Sequence, residues 1–315
     1  MGDIFIEEIS LGQEVCGVFA LRSAKLLPFR NSPGHYLAAV LGDKTGQVEG
    51  RAWESGPEIY QSCRTGDIVR VQGLATEYND RVQIQIAAMT ACRDSEIEPE
   101  RFIPSSNLDS DTALLKLDSL LQSITDPHLN KLLSAIFTDQ DFLPVFLAAP
   151  AARRNHHATT GGLAEHSLGV AVAAKKIAGA YPGLDRDLLI AGALLHDIGK
   201  VKEYSLGTDI SFTDEGRLLG HIVLGMQLLD RYVGLLPGFP DHLKLKLTHM
   251  IVSHHGQYEW QSPKRPKFIE ATILHHLDMI DTAVDMFSSA VESREDTEEH
   301  WSGWVRALDR QVFCK

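Results

Sequence analysis

The chain is poor in several things, and each shortage removes a class of protein. It has only 4 cysteines in 315 residues. Cys16, Cys63, Cys92 and Cys314 are scattered with no C-x-x-C pair, so neither a disulfide frame nor a zinc knuckle is encoded. No apolar run reaches the roughly 18 residues of a membrane span. Met1–Ser10 carries Asp3, Glu7 and Glu8 where a secretory leader needs basic residues. A cytoplasmic location without a membrane partner is the expectation. Net positive charge is also missing: the formal balance is −12. Such a surface does not attract a polyanion by itself, so a nucleic-acid substrate would need a local basic groove or a metal.

Histidine is what the chain has in excess. There are 14, none between His35 and His128, and most lie from His156 to His276. Length predicts about two domains, and the residue pattern changes along the chain accordingly. The first hundred residues read as short strands: Glu14–Leu27, Tyr36–Leu41, Gln47–Trp53, Ile68–Gly73 and Arg81–Ile86, separated by turns such as Gly42–Gly46 and Asn79-Asp80. Five strands, all antiparallel by hairpin logic, predict a small barrel. Residues 94–108 form a linker rich in Glu, Pro and Ser. From Asp109 the apolar spacing becomes helical, and Asp126-Pro127 starts another helix with Pro at its first position. From there to the C-terminus almost only helices are predicted, with an acidic, solvated segment at Glu292–Glu299. The expected organisation is a barrel and linker over 1–104, a helical connector over 105–150, a helical domain over 151–300 and a tail over 301–315. Val145 and Phe146 fit either a core or an interface between copies, which leaves a homo-oligomer open.

Five stations in the second half combine imidazoles and carboxylates. His166 falls in the first turns of the helix that follows Thr159-Thr160-Gly161-Gly162. His196-Asp197 ends an apolar helix begun near Asp187 and is followed by Ile198-Gly199-Lys200. Gly220-His221 opens a helix. Ser253-His254-His255-Gly256 ends a helix begun near Asp241. Asp278 and Asp281 share one face of a later helix. A single buried histidine is more often a hydrogen-bonded core residue than a ligand. Four ionisable stations placed against apolar helices in succession make a shared cation the less costly explanation. Imidazole and carboxylate donors suit Mn, Fe, Co, Ni or Zn. Asp197 has two oxygens and so can bridge two ions, and Lys200 would set a cation near a phosphoryl group. His275-His276 point about 100° apart on a helix and cannot both join Asp278; they are expected to be structural. His156-His157 suits a loop at a substrate mouth or a plain surface.

The succession H…HD…H…HH…D resembles the HD superfamily of phosphohydrolases. The fuller strings Asn155–Leu163, Leu195–Lys200, Gly220–Val223 and Ser253–Gly256, with Ser262-Pro263 leading to Asp278 and Asp281, resemble the YhaM-type 3′→5′ exoribonucleases across nearly the whole chain. That resemblance implies that His166, His196, Asp197 and Asp278 hold one divalent ion. It also implies that His221, His254 and His255 hold a second, bridged by Asp197, with Mn favoured. Asp281 would orient a ligand or face the substrate. A Glu found four residues before the first His in some relatives is Gly162 here, which argues against a third ion. The segment Leu41–Trp53 resembles the second and third strands of a nucleic-acid-binding OB-fold. Such barrels stack bases on aromatic rings and track phosphates with cations. The candidates are Phe29, Tyr36, Trp53 and Tyr78 with Arg30, Arg51 and Arg81, and His156 and His157 at the helical site's mouth. The expected fold is therefore multidomain: a five-stranded OB-like β-barrel followed by an all-α HD-domain bundle. The expected activity is metal-dependent hydrolysis of single-stranded RNA, or DNA, from the 3′ end, with Asp197, Lys200 and Asp281 in catalytic roles. Two rival functions are a phosphodiesterase of small or cyclic nucleotides and a non-catalytic single-strand binder.

Overall fold

The computed structural model describes residues 4–29, 32–79, 81–93, 101–153, 157–207, 209–292 and 300–314. Arg30, Asp80, Asn155 and His156 lie outside the described residues. The chain divides into two compact units, Met1–Pro104 with Gly207–Asp209, and Ser105–Leu206 with Ile210–Lys315.

The first unit is a closed barrel of β1 (Glu14–Pro28), β2 (His35–Gly42), β3 (Gln47–Ala52), β4 (Ile68–Tyr78) and β5 (Arg81–Ala91), in the order β1-β2-β3-β5-β4. β1 is long enough to serve two partners. Its first half pairs with β4 and its second half with β2, and a bulge lies at Leu21/Ser23 just beyond the changeover. The expectation that every pair is antiparallel is corrected: β3 and β5 run parallel, with Glu49 opposite Gln83 and Arg51 opposite Gln85. The reason is parity. Direction cannot alternate all the way round a closed ring of five strands, so at least one pair must be parallel. It falls on strands separated in sequence by β4 and the helix α1 (Gly56–Ser62), where no hairpin dictates direction. Alternate residues point inward, and Phe19, Leu21, Leu37, Leu41, Val71 and Ile84, all fully buried, belong to the barrel core.

Nine helices among the described residues build the second unit: α2 (Ser110–Gln122), α3 (Pro127–Phe137), α4 (Phe142–Ala148), α5 (Gly162–Ala180), α6 (Arg186–Leu195), α7 (Lys200–Glu203), α8 (Asp214–Gly234), α9 (Asp241–Ser253) and α10 (Ile269–Glu292). Their starts are chemically marked. Asp109 accepts from Thr112 N, Asp126 from His128 N and Leu129 N, and Asp185 from Leu188 N, so each satisfies amides that have no partner inside the helix. One hydrophobic core runs from Leu117 and Leu133 through Phe146, Leu168 and Leu189–Leu195 to Leu247 and Leu274. Phe146 belongs to this core, whereas Val145 is exposed.

Two departures from an all-helical reading occur. Strands β6 (Tyr204–Leu206) and β7 (Ile210–Phe212) form a small antiparallel pair, and residues 300–314 make bridges between Trp301 and Phe313 and between Val305 and Arg310. Three-residue strands are too short to show a period of two. The C-terminal segment is ordered by packing Val312 and Cys314 on Ala290 of α10, a contact that local pattern does not reveal.

Candidate metal centre

The apolar sequence of α6 makes it the buried axis of the unit, and it ends where the chemistry begins. His196 is its C-cap, and Asp197 follows at once, so both side chains emerge inside the core. Gly199 then permits the next turn to pass against α8, since a Cβ there would overlap the carbonyl oxygen of His221. α8 carries its own break. Gly220 has φ +73° and ψ 161°, a conformation open to glycine, and it re-aims the helix so that His221 starts a fresh segment. His254 is the C-cap of α9, and His166 lies in the second turn of α5.

Every imidazole in the cluster is held in the same way. His196 Nδ1 donates to Ala193 O at 2.8 Å, His254 Nδ1 to Ile251 O at 2.7 Å and His255 Nδ1 to Trp260 O at 2.9 Å. His221 Nδ1 donates to Glu203 Oε1 at 3.2 Å, and His166 Nδ1 to Asp281 Oδ2 at 2.8 Å. An acceptor-only oxygen on Nδ1 takes that N–H and leaves Nε2 facing inward, which is how ligating histidines are oriented.

The Nε2 atoms converge on Asp197. Its Oδ2 lies 3.5 Å from His166 Nε2 and 3.4 Å from His196 Nε2, and the two imidazole nitrogens are 3.0 Å apart. His166 Nε2 is also 3.3 Å from Asp278 Oδ1. The other oxygen, Oδ1, lies 3.5 Å from His221 Nε2 and 3.4 Å from His254 Nε2. Asp197 Oδ1, His221 Nε2 and His254 Nε2 are buried without a hydrogen-bond partner. Three orphaned acceptors facing one another are unfavourable unless a cation lies among them. Among the described residues three sets of donor atoms lie close enough to share an ion: His166, His196 and Asp197; His221, His254 and His255; and His157, His166 and Asp281, of which the first two contain or adjoin Asp197. The residues present therefore fit a divalent cation.

The protonation states agree with this. Burial opposes the charge on Asp197, but Lys200 and His196 overcome it and hold the carboxyl well below the usual range. Asp278 is likewise lowered, against burial, by its hydrogen bond to His166. Burial, with His254 and His221 alongside, pushes His255 down to about 3, and burial lowers His254. Both are neutral and ready to donate at pH 7. His166 is the exception: the hydrogen bonds to Asp278 and Asp281 outweigh burial and raise it to about 10.

The remaining candidates fall into place around this centre. Lys200 Nζ is buried and bonds Asp197 Oδ2 at 2.6 Å. Asp281, lowered to about 2 against burial by hydrogen bonds from His157 and His166, orients rather than joins the Nε2 cluster. His157 is drawn to carboxylates: Nε2 lies 3.0 Å from Asp281 Oδ2, and its backbone N donates to Asp285 Oδ2. His275 donates from Nδ1 to the backbone of His254 at 2.8 Å, a structural role. On the barrel, Phe29, Tyr36 and Trp53 form one ring cluster with centroids 4.7–6.3 Å apart, and Trp53 is exposed. Tyr78, Arg51 and Arg81 line a separate cavity of about 550 Å³ with Gln83, and Arg51 pairs with Glu49 at 2.7 Å.

Glu203 was not legible in the sequence. Lys-Val-Lys-Glu reads as a surface turn, and only burial shows that Glu203 Oε1 accepts from both the backbone N and Nδ1 of His221. Glu203→Ala is expected to weaken metal affinity about 10–100-fold, the usual cost of losing a ligand's orienting partner. Titration of the chelated protein with Mn, followed by calorimetry, measures it.

Comparison with known proteins agrees with both units. The family model for the HD domain matches residues 163–283, and that for an OB-fold nucleic acid binding domain matches residues 15–91. The chain is 34% identical to the 3′-5′ exoribonuclease YhaM of Shouchella clausii (strain KSM-K16) over 308 residues, 97% of this chain and 94% of the relative. It is 33% identical, with the same coverage, to the protein of that name from Halalkalibacterium halodurans. At this identity over nearly its full length, the chain belongs to the YhaM family of 3′-5′ exoribonucleases.

Proposed function

We propose that the chain removes nucleoside monophosphates one at a time from the 3′ end of single-stranded RNA, and of single-stranded DNA where it meets it, using two divalent ions with Mn favoured. The observation that carries this reading is the inward convergence of four Nε2 atoms, from His166, His196, His221 and His254, on the two oxygens of Asp197. His166, His196, Asp197 and Asp278 would hold one ion, and His221, His254 and His255, with Asp197, the other. Bound there, such ions supply Lewis acidity toward a phosphoryl oxygen and lower the pKa of water. The chain's own residues do the rest. Asp281 and Glu203 hold His166 and His221 in one tautomer, and the carbonyls of Ala193, Ile251 and Trp260 do the same for the other three imidazoles. Lys200 balances the charge of Asp197 and is the cation placed to meet phosphoryl oxygens. Apolar packing around α6 keeps bulk water from competing for these groups.

The barrel, we infer, holds the strand, with Phe29, Tyr36 and Trp53 as the stacking cluster and Tyr78, Arg51 and Arg81 on a second face. We assign functional limits of 1–104 to the strand-binding part, 105–150 to the connector, 151–300 to the hydrolytic part and 301–315 to the tail. No helix among the described residues is long and apolar enough to cross a membrane, and a cytoplasmic location suits an RNA substrate. A homo-oligomer is supported by Ile280, Val284, Phe287 and Val291, which recur at helical spacing on α10 and are all exposed.

Elemental analysis of the purified protein beside an Mn-supplemented assay on a 3′-labelled strand tests the reading. Label should leave as mononucleotide from the first time point; internal fragments, or no divalent ion in the protein, would refute it. Trp53→Ala should weaken binding of a single strand about 5–100-fold, as loss of one stacked base does. Fluorescence anisotropy at fixed salt reads that loss.

A further inference from the structure

The loop after His255 carries features that the centre itself does not use. Residues 257–268 fold back on the end of α9. Ser262 N donates to Gln257 O at 3.1 Å, Ser262 Oγ to Lys264 O at 2.7 Å, and Lys264 N to Val252 O at 3.3 Å. These bonds give the loop a defined shape, and what it displays is unusual for an acidic chain. Tyr258 and Trp260 stand 54% and 49% exposed. Lys264, Arg265 and Lys267 are exposed as well and make no ion pair among the described residues. The guanidinium of Arg265 lies 5.1 Å from the centroid of the Tyr258 ring.

The same loop is wired to the metal centre. The carbonyl of Trp260 fixes His255, and the Trp260 ring lies 6.0 Å from that of His275, whose Nδ1 holds the backbone of His254. A ring on this loop is thus one residue's length from a ligand-orienting bond. Exposed aromatic faces next to unpaired cations match one chemistry well: a nucleobase that stacks and a phosphate that needs countercharge. Charge complementarity favours this occupant over a second copy of the chain, whose net charge of −12 brings no comparable density of phosphate.

We propose that Tyr258 and Trp260, with Arg265 beside them and Lys264 and Lys267 nearby, form a platform in the helical unit on which bases at the 3′ end of the strand stack. The proposal rests on the hydrolytic reading above. Stacking uses the face that every base has, so the platform positions the end of a strand of any sequence. The substrate would then be gripped in the helical unit itself, independently of the barrel.

The test uses the full chain with Trp260→Ala and Trp260→Phe, assayed on 3′-labelled strands with an ordinary or an abasic 3′-terminal ribose. Trp260→Ala should raise KM about tenfold on the ordinary strand, and Trp260→Phe should restore most of it. The abasic end should weaken the wild type by a similar factor and Trp260→Ala little further. Metal content should stay constant, because the Trp260 carbonyl remains. A readout apart from turnover is anisotropy of a labelled dinucleotide on Asp197→Asn protein, where adding Trp260→Ala should lower affinity about tenfold. Equal losses on ordinary and abasic ends, a fall in metal content, an unchanged KM, or a change of oligomeric state that accounts for the loss would each overturn the platform. If Asp197→Asn still hydrolyses RNA at the wild-type rate, the hydrolytic reading fails instead. Loss of turnover in Asp197→Asn beside normal kinetics in Trp260→Ala sinks the platform alone.

Discussion

Replacing Asp197 by Asn is expected to lower RNA hydrolysis by at least about a thousandfold, the scale seen when one member of a tightly coupled catalytic unit is removed. The size follows from position. Asp197 Oδ2 faces His166, His196 and Lys200, and Oδ1 faces His221 and His254, so one carboxylate touches both donor sets. Among the described residues no other carboxylate is paired with both sets. Asparagine keeps the shape but offers one oxygen and no charge, so metal content should fall together with turnover.

The same substitution has a predictable effect on stability. Lys200 is buried and loses the carboxylate it bonds at 2.6 Å, and breaking a buried pair from one side costs about 3–5 kcal/mol. The double variant Asp197→Asn/Lys200→Met removes the stranded charge and should recover much of that loss with no recovery of activity. Thermal melting of the metal-free proteins separates the two effects. A single variant as stable as the wild type would refute the stranded-charge account, and an active double variant would refute the central role of Asp197.

Metal affinity should rise about tenfold per pH unit between pH 7 and 9, with close to one proton released per ion bound at the His166 set. The sign comes from the individual groups. His254 and His255 are already neutral at pH 7, and Asp197, Asp278 and Asp281 are already charged, so none of them gives up a proton. His166 is raised to about 10 and must lose its proton to offer Nε2. In the metal-free protein that raised value works the other way. Protonated His166 between Asp278 and Asp281 contributes stability that is complete below about pH 6.5 and is lost as pH rises through 10. The melting-temperature gap between loaded and chelated protein should therefore widen from pH 6.5 to pH 10. Calorimetry in buffers of different ionisation enthalpy counts the protons. A flat pH dependence, with no proton released, would mean that His166 does not ligate through Nε2.

Much of this protein is legible in residue order because its signals are local. An Asp before each of α2, α3 and α6 marks a start, since a cap acts within three residues. His196-Asp197 directly after the apolar run of α6 announces a compensated charge, since burial there is unfavourable by itself. What spacing could not decide was pairing at a distance. The parallel contact of β3 with β5 follows from closing a ring of five strands, not from any hairpin. The β6–β7 pair has too few residues to show a period.

Residue order specifies the list of donors and the succession of the two units, because residue chemistry and hydrophobic period are properties of short stretches of chain. How those donors are aimed is set by long-range packing. The common tautomer of the five imidazoles depends on oxygens contributed by Ala193, Glu203, Ile251, Trp260 and Asp281. Three of these are backbone carbonyls, which carry no residue signature. Glu203 and Asp281 acquire their partners only when helices distant in sequence pack together. Orientation of a lone pair is set by a hydrogen bond at the far side of the ring, and that bond exists only once the core has formed.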